Sequence, residues 1–427
     1  MTRLFVDVTE VSALGRKAEE LTGVQRTCLE FAYELVTADR ATAVVLNPLT
    51  GRFRAVAPWA FELEHLYATE TVKERLGLLP KVRSLGKYRG LKRAVYEAEQ
   101  ALLGAARALN PARPGTAVGD TVSLDGGVLL TPANFEIARR VGLRAKALHP
   151  TVSVVAVLYD TIPLAGSAAG VAAGFARAYQ ASYKALGAAG ARFIAISDHS
   201  RADAMAEIAK GTLAPSVAPE AAILLAHEFR EPPAASRAGP LPDRPFFLSV
   251  GSPSGRKNGK LLCEAYRRLM ARHVEAAGRR PDLVFAGRVG SDPGALLDRL
   301  GASRDIEGHV RLIDQPNHAT LQALYAAAEA LVFPSVYEGF GLPVGEALWL
   351  GTPVIASSAT SIPEVGGALA DYFDPADADA LAALLASAAT EPDWLPARRR
   401  SIAAARPALR SWRQVAGDYA DQALRLR

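Results

Sequence analysis

Short apolar runs alternate with stretches of helical apolar spacing along almost all of the 427-residue chain. Short runs predict strands, and a 3.6-residue period predicts amphipathic helices. Strands are predicted near 3–8, 42–46, 121–124, 152–158, 192–196, 222–225, 246–251, 283–287, 310–313, 330–335 and 353–357. Helices are predicted at 24–37, 91–108, 170–187, 199–209, 258–273, 318–329, 343–350, 377–389 and 411–427. This alternation predicts an α/β fold with parallel sheets.

One segment interrupts the pattern. The stretch REPPAASRAGPLPDRP, residues 230–245, is rich in proline and alanine and lacks periodicity, which is typical of a linker. We therefore expect a Rossmann-like N-terminal domain over 1–235 and a compact Rossmann-like C-terminal domain over 241–405. The terminal helix, within 406–427, is expected to pack back on the first domain.

Composition supports two globular domains, since half of the residues are hydrophobic and 22% are charged. No apolar run approaches the ~18 residues of a membrane span, and the N-terminus lacks the apolar core of a signal peptide. The two cysteines, Cys28 and Cys263, lie far apart and fit neither a disulfide framework nor a zinc motif. A cytoplasmic protein is therefore expected.

The net charge of +5 is concentrated in the first part of the chain. Residues 1–240 carry 28 lysines and arginines against 23 acids, whereas residues 241–427 carry 21 of each. The densest stretch, KVRSLGKYRGLKR at 81–93, has six cations and no acid. It is either a solvated surface or a patch for peripheral contact with an anionic membrane. Nucleic acid is disfavoured, because no base-stacking aromatic pattern accompanies the charge.

The stretch VYEGFGLPVGEALWLGTPVIA, residues 336–356, connects two predicted parallel strands through a loop and a helix. Ligands of open α/β sheets bind beyond the carboxyl ends of strands, where this loop lies. Gly341 permits close backbone approach, and free N–H groups at Gly341, Leu342 and Val344 are expected to form a phosphate site. Glu346, in the first turn of the helix, either complements its dipole or accepts a ribose hydroxyl. Glu338 precedes the turn, near the group attached to the phosphate.

A second candidate element follows the strand FFLSVG. Arg256, Lys257 and Asn258 stand at the start of the next helix, at a carboxyl end of the same sheet. Two cations in that position suit a diphosphate, although the tripeptide alone is typical of a surface loop.

The segments SVGSPSGRKN, ALVFPSVYEGFGLPVGEALWLGTPVIASSATSIPEVGG and YFDPADADALAALL together resemble the donor half of family 4 retaining glycosyltransferases. Weaker matches, LTGVQRT, VLYDTIPL, FIAISDHSRADAM and SWRQVA, extend the resemblance over nearly the full chain. It implies the GT-B architecture, in which two Rossmann-like domains face each other across a cleft.

The resemblance also implies roles for individual residues. The donor diphosphate is bound by Lys257, by Arg256 and by the backbone of Gly341 and Leu342. Glu346 holds the ribose. The catalytic set comprises Lys257, Glu338, which contacts the transferred sugar, and Asp160, which faces the cleft from the other domain, as does Gly23. Two positions depart from the family pattern: Ser252 replaces an arginine, and Tyr159 replaces a histidine.

Asp377 and Asp379 imitate the metal-binding D-x-D motif of other glycosyltransferases. Because a helix pattern follows at once, we predict an N-cap and a first-turn carboxylate instead. No metal or other cofactor is expected, since two cations and a helix end neutralise the diphosphate.

The function implied is transfer of a sugar from a nucleotide-diphosphate donor to a hydroxyl of a growing glycan or lipid-linked oligosaccharide, with GDP-mannose as the family-based choice of donor. A catalytically silent nucleotide-sugar or glycan-binding assembly factor is the alternative. A dinucleotide-dependent oxidoreductase is disfavoured, because the first strand is not followed by G-x-G-x-x-G.

Overall fold

The computed structural model describes residues 2–12, 21–47, 50–67, 69–76, 116–164, 173–232, 237–277, 281–289, 292–302 and 306–427. The predicted helix at 91–108 and the basic stretch 81–93 lie outside them. Two sheets organise the described residues, one of eight strands and one of six. The part built on the first sheet is called the N-terminal domain below, and the part built on the second sheet the C-terminal domain.

The sheet of the N-terminal domain has the strand order β4-β3-β2-β1-β5-β6-β7-β8. The strands are β1 Leu4–Asp7, β2 Thr42–Leu46, β3 Phe53–Val56, β4 Val118–Thr121, β5 Val128–Thr131, β6 Ser153–Leu158, β7 Arg192–Ala195 and β8 Ala221–Ala222. The neighbouring strands in the run β2-β1-β5-β6-β7-β8 are all parallel. Strands β3 and β4 extend the sheet beyond β2 with antiparallel pairing. The valines of β6 are buried, as expected of β-branched residues in a strand covered on both faces.

Six helices accompany that sheet among the described residues. They are α1 Thr9–Ser12, α2 Gly23–Thr37, α3 Thr69–Arg75, α4 Phe135–Leu148, α5 Ala173–Ala188 and α6 Asp198–Ala209. Helix α2 begins at a capping box, in which Thr22 accepts from the amide of Gln25 and the Gln25 side chain accepts from the amide of Thr22. This cap fixes where α2 starts, at the loop that contains Gly23.

The sheet of the C-terminal domain has the order β11-β10-β9-β12-β13-β14 and is entirely parallel. Its strands are β9 Phe246–Val250, β10 Asp282–Gly287, β11 Val310–Asp314, β12 Ala330–Phe333, β13 Val354–Ser357 and β14 Ala370–Phe373. Numbered within the domain, this is the 3-2-1-4-5-6 order of a Rossmann sheet. The strand order therefore reverses between β9 and β12.

In the described residues from 237 onward, eight helices belong to this domain and the C-terminal segment. They are α7 Gly259–Ala277, α8 Pro293–Leu300, α9 His318–Ala327, α10 Leu342–Trp349, α11 Ile362–Gly366, α12 Ala378–Thr390, α13 Trp394–Ala405 and α14 Trp412–Arg425. Helix α14 lies against α2 of the N-terminal domain. The ring of Phe31 lies 4.9 Å from that of Tyr419 and 6.3 Å from that of Trp412. The Tyr419 hydroxyl donates to the carbonyl of Ile223.

The predicted strand at 121–124 is wrong. The chain instead forms an edge strand ending at Thr121 and a buried strand at Val128–Thr131, with a turn between them in which Gly126 has a φ of +68°. Leu124 is the one buried residue among the four predicted residues 121–124. The apolar signal of this segment therefore marks a single core contact. Strands β3, β5 and β14 and helices α1, α3, α4, α8, α11 and α13 were not predicted.

Candidate active site

The reversal of strand order between β9 and β12 opens a crevice at the carboxyl ends of these two strands, as in other doubly wound sheets. The loop after β9 carries Arg256 and Lys257, and the loop after β12 carries Glu338 and Gly341. The two elements selected from the sequence are therefore adjacent in the fold, and they approach the same crevice from its two sides.

Two conformations in the loop after β9 bring Lys257 into the crevice. Gly251 has a φ of +112°, and a Cβ atom there would lie 3.3 Å from Cε of Lys257. A short 3-10 turn ends at Asn258, which is left-handed with a φ of 57°. The ammonium group of Lys257 lies 4.4 Å from the centre of the Phe333 ring, at the end of β12. The aromatic face thus attracts the cation and holds it across the point of strand reversal.

Glu338 connects the two loops. Its Oε1 atom lies 2.7 Å from Nζ of Lys257, accepts a 2.7 Å hydrogen bond from Oγ of Ser335, and pairs with Arg256. Burial alone would raise the pKa of the Glu338 carboxyl, but Lys257 and Arg256 outweigh it and hold that pKa below its usual value. Burial lowers the pKa of Lys257, and Glu338 partly offsets the effect. Arg256, Lys257 and Glu338, all selected from the sequence, therefore form one charge cluster around a buried carboxylate.

Gly341 caps helix α10. Its φ of +104° is a conformation that L side chains rarely adopt, and Pro343 occupies the first turn, where its missing N–H costs nothing. The amides of Gly341 and Leu342 precede the first bond of the helix and point from its positive end. The amide of Val344, expected to be free, instead donates to the Gly341 carbonyl at 2.9 Å. The predicted anion site therefore loses one of its three amides.

Glu346 lies in the second turn of α10, not in the first as expected, because the helix starts at Leu342. The carboxylate is buried and contacts both domains. Its Oε2 atom accepts a 2.9 Å hydrogen bond from Tyr325 of α9, and its Oε1 atom lies 2.7 Å from a guanidinium nitrogen of Arg26. With two partners already present, Glu346 is an acceptor inside a polar cluster and has no role as a dipole-complementing first-turn acid.

Gly23 and Arg26 come from the first turn of α2 and face α10 across the cleft. A Cβ atom on Gly23 would lie 3.2 Å from Cδ1 of Leu342, so a larger side chain would require Leu342 to shift. Arg26 follows one helical turn later, on the same face. Sequence analysis quoted Arg26 within LTGVQRT but assigned it no role. Its helical spacing from Gly23 is the signal that was available.

Asp160 follows β6 and faces the C-terminal domain, as expected. Its Oδ1 atom accepts from the amide of Ile162 at 3.0 Å. A Cβ atom on Gly339 would lie 2.7 Å from Cβ of Asp160, which leaves room for glycine only. Burial raises the pKa of the Asp160 carboxyl to about 6, although the amide of Ile162 and the charge of Arg256 act in the opposite direction. Asp160 therefore titrates close to neutral pH at the edge of the charge cluster.

Tyr159, which replaces the family histidine, turns away from Asp160. Its hydroxyl donates to the carbonyl of Pro132 inside the N-terminal domain at 2.6 Å. Ser252, which replaces the family arginine, is exposed, whereas Arg256 pairs with Glu338. Arg256 is thus the arginine that reaches the cluster from the loop after β9.

Tyr337, which the sequence analysis overlooked, joins the domains beside Glu338. Its hydroxyl lies 3.0 Å from Oγ of Thr161 and also bonds to the carboxylate of Asp203. Its carbonyl accepts a 2.8 Å hydrogen bond from Arg256. One residue therefore contacts both the N-terminal domain and a cation of the cluster.

The segment ISDHS at the start of α6 provides further contacts between the domains. The hydroxyls of Ser197 and Ser200 donate to the carbonyl of Gly339 at 2.7 and 3.1 Å. In return, the Glu364 carboxylate accepts from the amides of Asp198 and His199 at 2.8 and 2.7 Å. A side chain of the C-terminal domain thus caps a helix of the N-terminal domain.

Asp377 and Asp379 adopt the predicted capping roles. Oδ1 of Asp377 accepts from the amides of Asp379 and Ala380, both at 2.9 Å, and the Asp379 carboxylate pairs with Arg268 at 2.7 Å. Within the part of the chain that the structure describes, no group of three or more acidic, histidine or cysteine side chains has the arrangement of a metal site.

Comparison with known proteins gives a family match that lies in the C-terminal domain. The profile of the family described as "Glycosyl transferases group 1" matches residues 234–407. O-antigen chain mannosyltransferase B of Escherichia coli is 37% identical over 161 residues, which are 38% of this chain and 40% of that protein. MMP alpha-(1->4)-mannosyltransferase of Mycolicibacterium hassiacum is 38% identical over 133 residues, which are 29% of this chain and 31% of that protein. The matches span less than half the length of these curated relatives.

Two solved structures resemble the whole chain. Sucrose-phosphate synthase from Thermosynechococcus elongatus has a TM-score of 0.61 at 18% identity, covering 100% of this chain and 99% of that one. A glycosyltransferase from Rickettsia africae has a TM-score of 0.55 at 12% identity, covering 100% and 98%. At these identities the likeness concerns the fold alone. Residues 234–407 therefore match the glycosyl transferases group 1 domain, and the two parallel-sheet domains of the chain have the GT-B fold.

Proposed function

We propose that this protein transfers a sugar, with retention of configuration, from a nucleotide-diphosphate donor to a hydroxyl of a growing glycan or lipid-linked oligosaccharide. The observation that carries the proposal is the charge cluster of Arg256, Lys257 and Glu338 at the point of strand reversal. Two cations beside a helix N-terminus suit a diphosphate, and a carboxylate within reach of both suits the sugar attached to it.

In the proposed reaction the bond between the anomeric carbon and the β-phosphate oxygen breaks, and its electron pair remains on the diphosphate. Stabilising this developing charge is the largest requirement of the site, and it falls to Lys257, Arg256 and the amides of Gly341 and Leu342. The acceptor oxygen forms the new bond to the anomeric carbon, and its proton passes to the departing diphosphate. Attack on the same face is favoured, because sequence analysis provides no separate nucleophilic carboxylate.

The proposed reaction uses no metal ion. In many transferases a divalent cation neutralises the diphosphate, whereas here Arg256, Lys257 and the N-terminus of α10 approach one crevice. The two acids that imitate a metal motif are engaged in a helix cap and an ion pair.

Mannose is the proposed sugar, and GDP-mannose the proposed donor. Support comes from relatives that are named mannosyltransferases, among them the E. coli and M. hassiacum proteins and the serotype-specific mannosyltransferase WbdA of E. coli, which is 34% identical over 152 residues. That last match covers 35% of this chain and 18% of WbdA.

A growing glycan is the proposed acceptor, since one relative is named for the O-antigen chain. Contact with an anionic membrane through residues 81–93 would bring the protein to a lipid-linked acceptor. In the described segments no helix has both the length and the apolar character required to cross a membrane.

The decisive experiment has two stages. A thermal-shift screen of nucleoside diphosphates and their sugars identifies the donor, because a ligand at 100 times its Kd adds about 2.7 kcal/mol of stability. The selected donor is then mixed with candidate acceptors, and release of nucleoside diphosphate is followed. Release that depends on the acceptor supports transfer. Binding without release would favour the silent assembly factor, and no binding at all would contradict both functions.

A further inference from the structure

The most unexpected contact in the crevice is the ion pair between Arg26 and Glu346. Oε2 of the Glu346 carboxylate accepts a hydrogen bond from Tyr325 of the same domain, whereas Oε1 has no hydrogen-bond partner and forms an ion pair with Arg26 of the opposite domain. Only 3% of the Glu346 side chain is exposed. A ligand hydroxyl can therefore reach this carboxylate only after one of the partners has moved, and only Arg26 moves away when the domains separate.

Aromatic rings surround the Arg26 guanidinium and shield its ion pair with Glu346 from water. Its guanidinium carbon lies 5.7 Å from the ring centre of Tyr67 and 5.8 Å from that of Phe229. Its Nε atom is buried without a hydrogen-bond partner. The attraction between Arg26 and Glu346 is stronger here than between the same charges in water, because the local dielectric is lower.

We propose that Arg26 occupies the ribose position in the nucleotide-free protein, so that a ribonucleoside diphosphate binds only by displacing the guanidinium from Glu346. This inference rests on the proposed function, in which Glu346 accepts ribose hydroxyls. A contact that exists in the free protein and is lost in the complex opposes binding by its own free energy. Removal of Arg26 must then tighten nucleotide binding, the opposite of what loss of a donor contact would do.

The test compares Arg26→Met with a matched control, Arg75→Met. Arg75 is an arginine of similar exposure inside the N-terminal domain: its side chain is 14% exposed against 15% for Arg26, it pairs at 2.7 Å with Glu62, which is itself exposed, and it lies over the Trp59 ring. The probe is whichever of GDP, UDP and ADP stabilises the wild type most, measured by calorimetric titration of the full chain. We expect Arg26→Met to bind it at least about tenfold more tightly, which corresponds to about 1.4 kcal/mol, and Arg75→Met to bind it as the wild type does.

Unchanged or weaker binding by Arg26→Met overturns the inference. If methionine lowers the melting temperature too far for titration, Arg26→Gln replaces it, with the same direction expected and a smaller effect.

A second nucleotide separates this inference from the function on which it rests. The 2′,3′-dideoxy form of the probe lacks the hydroxyls that Glu346 would bind. Arg26→Met should tighten both forms by the same factor and leave their affinity ratio unchanged, whereas Glu346→Gln, which replaces a charged acceptor with a neutral one, should reduce that ratio. A ratio that Glu346→Gln leaves unchanged contradicts the ribose role itself. If no nucleotide stabilises the wild type, the proposed function fails, and the displacement of Arg26 fails with it.

Discussion

The Oε1 atom of Glu338 lies 2.7 Å from the Nζ atom of Lys257, so a carboxylate holds the cation that is proposed to receive the diphosphate. The pair keeps Lys257 oriented in a partly desolvated place, where a lone ammonium would be less stable than in water. Donor binding then exchanges partners around a lysine that is already in position.

Lys257→Ala should weaken binding of the nucleoside diphosphate by about 1.5–3 kcal/mol, the range for a hydrogen bond to a charged group. Lys260, three residues later and exposed, is the control, and Lys260→Ala should leave the affinity nearly unchanged. Calorimetric titration measures both. Equal losses would mean that the cations act as a diffuse field, and the assignment of Lys257 would be wrong.

Glu338→Gln should slow transfer by roughly 100-fold, the scale of a lost electrostatic contact in a transition state. Free nucleoside diphosphate should still bind, since the substitution removes a negative charge from beside both cations. Steady-state rates and titration give the two quantities. Glu62→Gln, which alters a surface pair with Arg75, is the control and should change neither. A parallel loss of affinity and rate would argue that Glu338 serves only to hold the loop.

The pH dependence of transfer should follow Asp160. Its carboxyl has a pKa of about 6, raised by burial, so it is ionised above that pH and protonated below it. If the anion stabilises positive charge on the sugar, the rate falls as the pH drops through about 6, and Asp160→Asn is slow at every pH.

The same carboxyl affects stability with the opposite sign. The folded protein binds this proton more tightly than the unfolded chain, in which the pKa of the carboxyl is 3.8. The carboxyl therefore lowers the stability of the fold as the pH rises from about 4 through 6. Thermal unfolding of Asp160→Asn should lose that part of the pH dependence. If Asp160→Asn has the same pH–rate profile as the wild type, Asp160 takes no part in the reaction, whatever the unfolding data show.

Chelation should leave transfer unchanged. With Arg256 and Lys257 available for the diphosphate, activity in EDTA is expected to equal activity without it. If EDTA abolishes transfer and Mn²⁺ or Mg²⁺ restores it, the proposal that Arg256 and Lys257 neutralise the diphosphate is wrong.

The basic stretch supplies a prediction that rests on sequence alone, because 81–93 lies outside the described residues. Each cation near an anionic surface contributes about 1 kcal/mol. Four cations are changed to glutamine: Lys87, Arg89, Lys92 and Arg93. Together these changes should weaken binding to anionic vesicles by up to roughly 4 kcal/mol, and by less at high salt. Sedimentation with neutral vesicles is the control, and equal binding to both kinds of vesicle would identify the stretch as a solvated surface.

Sequence analysis was most successful where local chemistry determines structure. Glycine and proline around Gly341 and Pro343 mark the loop and the start of α10, and the sequence order of strands and helices predicts a parallel sheet with its ligand crevice. Asp377 was recognised as a cap because the helix pattern follows it directly. These features depend on neighbours within a few residues.

Features that depend on tertiary contacts were missed. Strand β3 is a four-residue antiparallel strand between β2 and β4, and with only two of its residues fully buried it carries too weak an apolar signal. Tyr337 bonds to Thr161 and Asp203, and Arg26 pairs with Glu346, only because the domains meet. Helix α4 is a different case, because its Asn134 cap was visible in the sequence and was overlooked.

The cap that Glu364 forms on α6 links hydrogen exchange at two amides to the separation of the two domains. The amides of Asp198 and His199 donate to a side chain of the other domain, so in the closed protein they are shielded from hydrogen exchange with water. Separation of the domains exposes them while the rest of α6 keeps its internal bonds. Deuterium uptake at these two amides therefore measures how often the cleft opens.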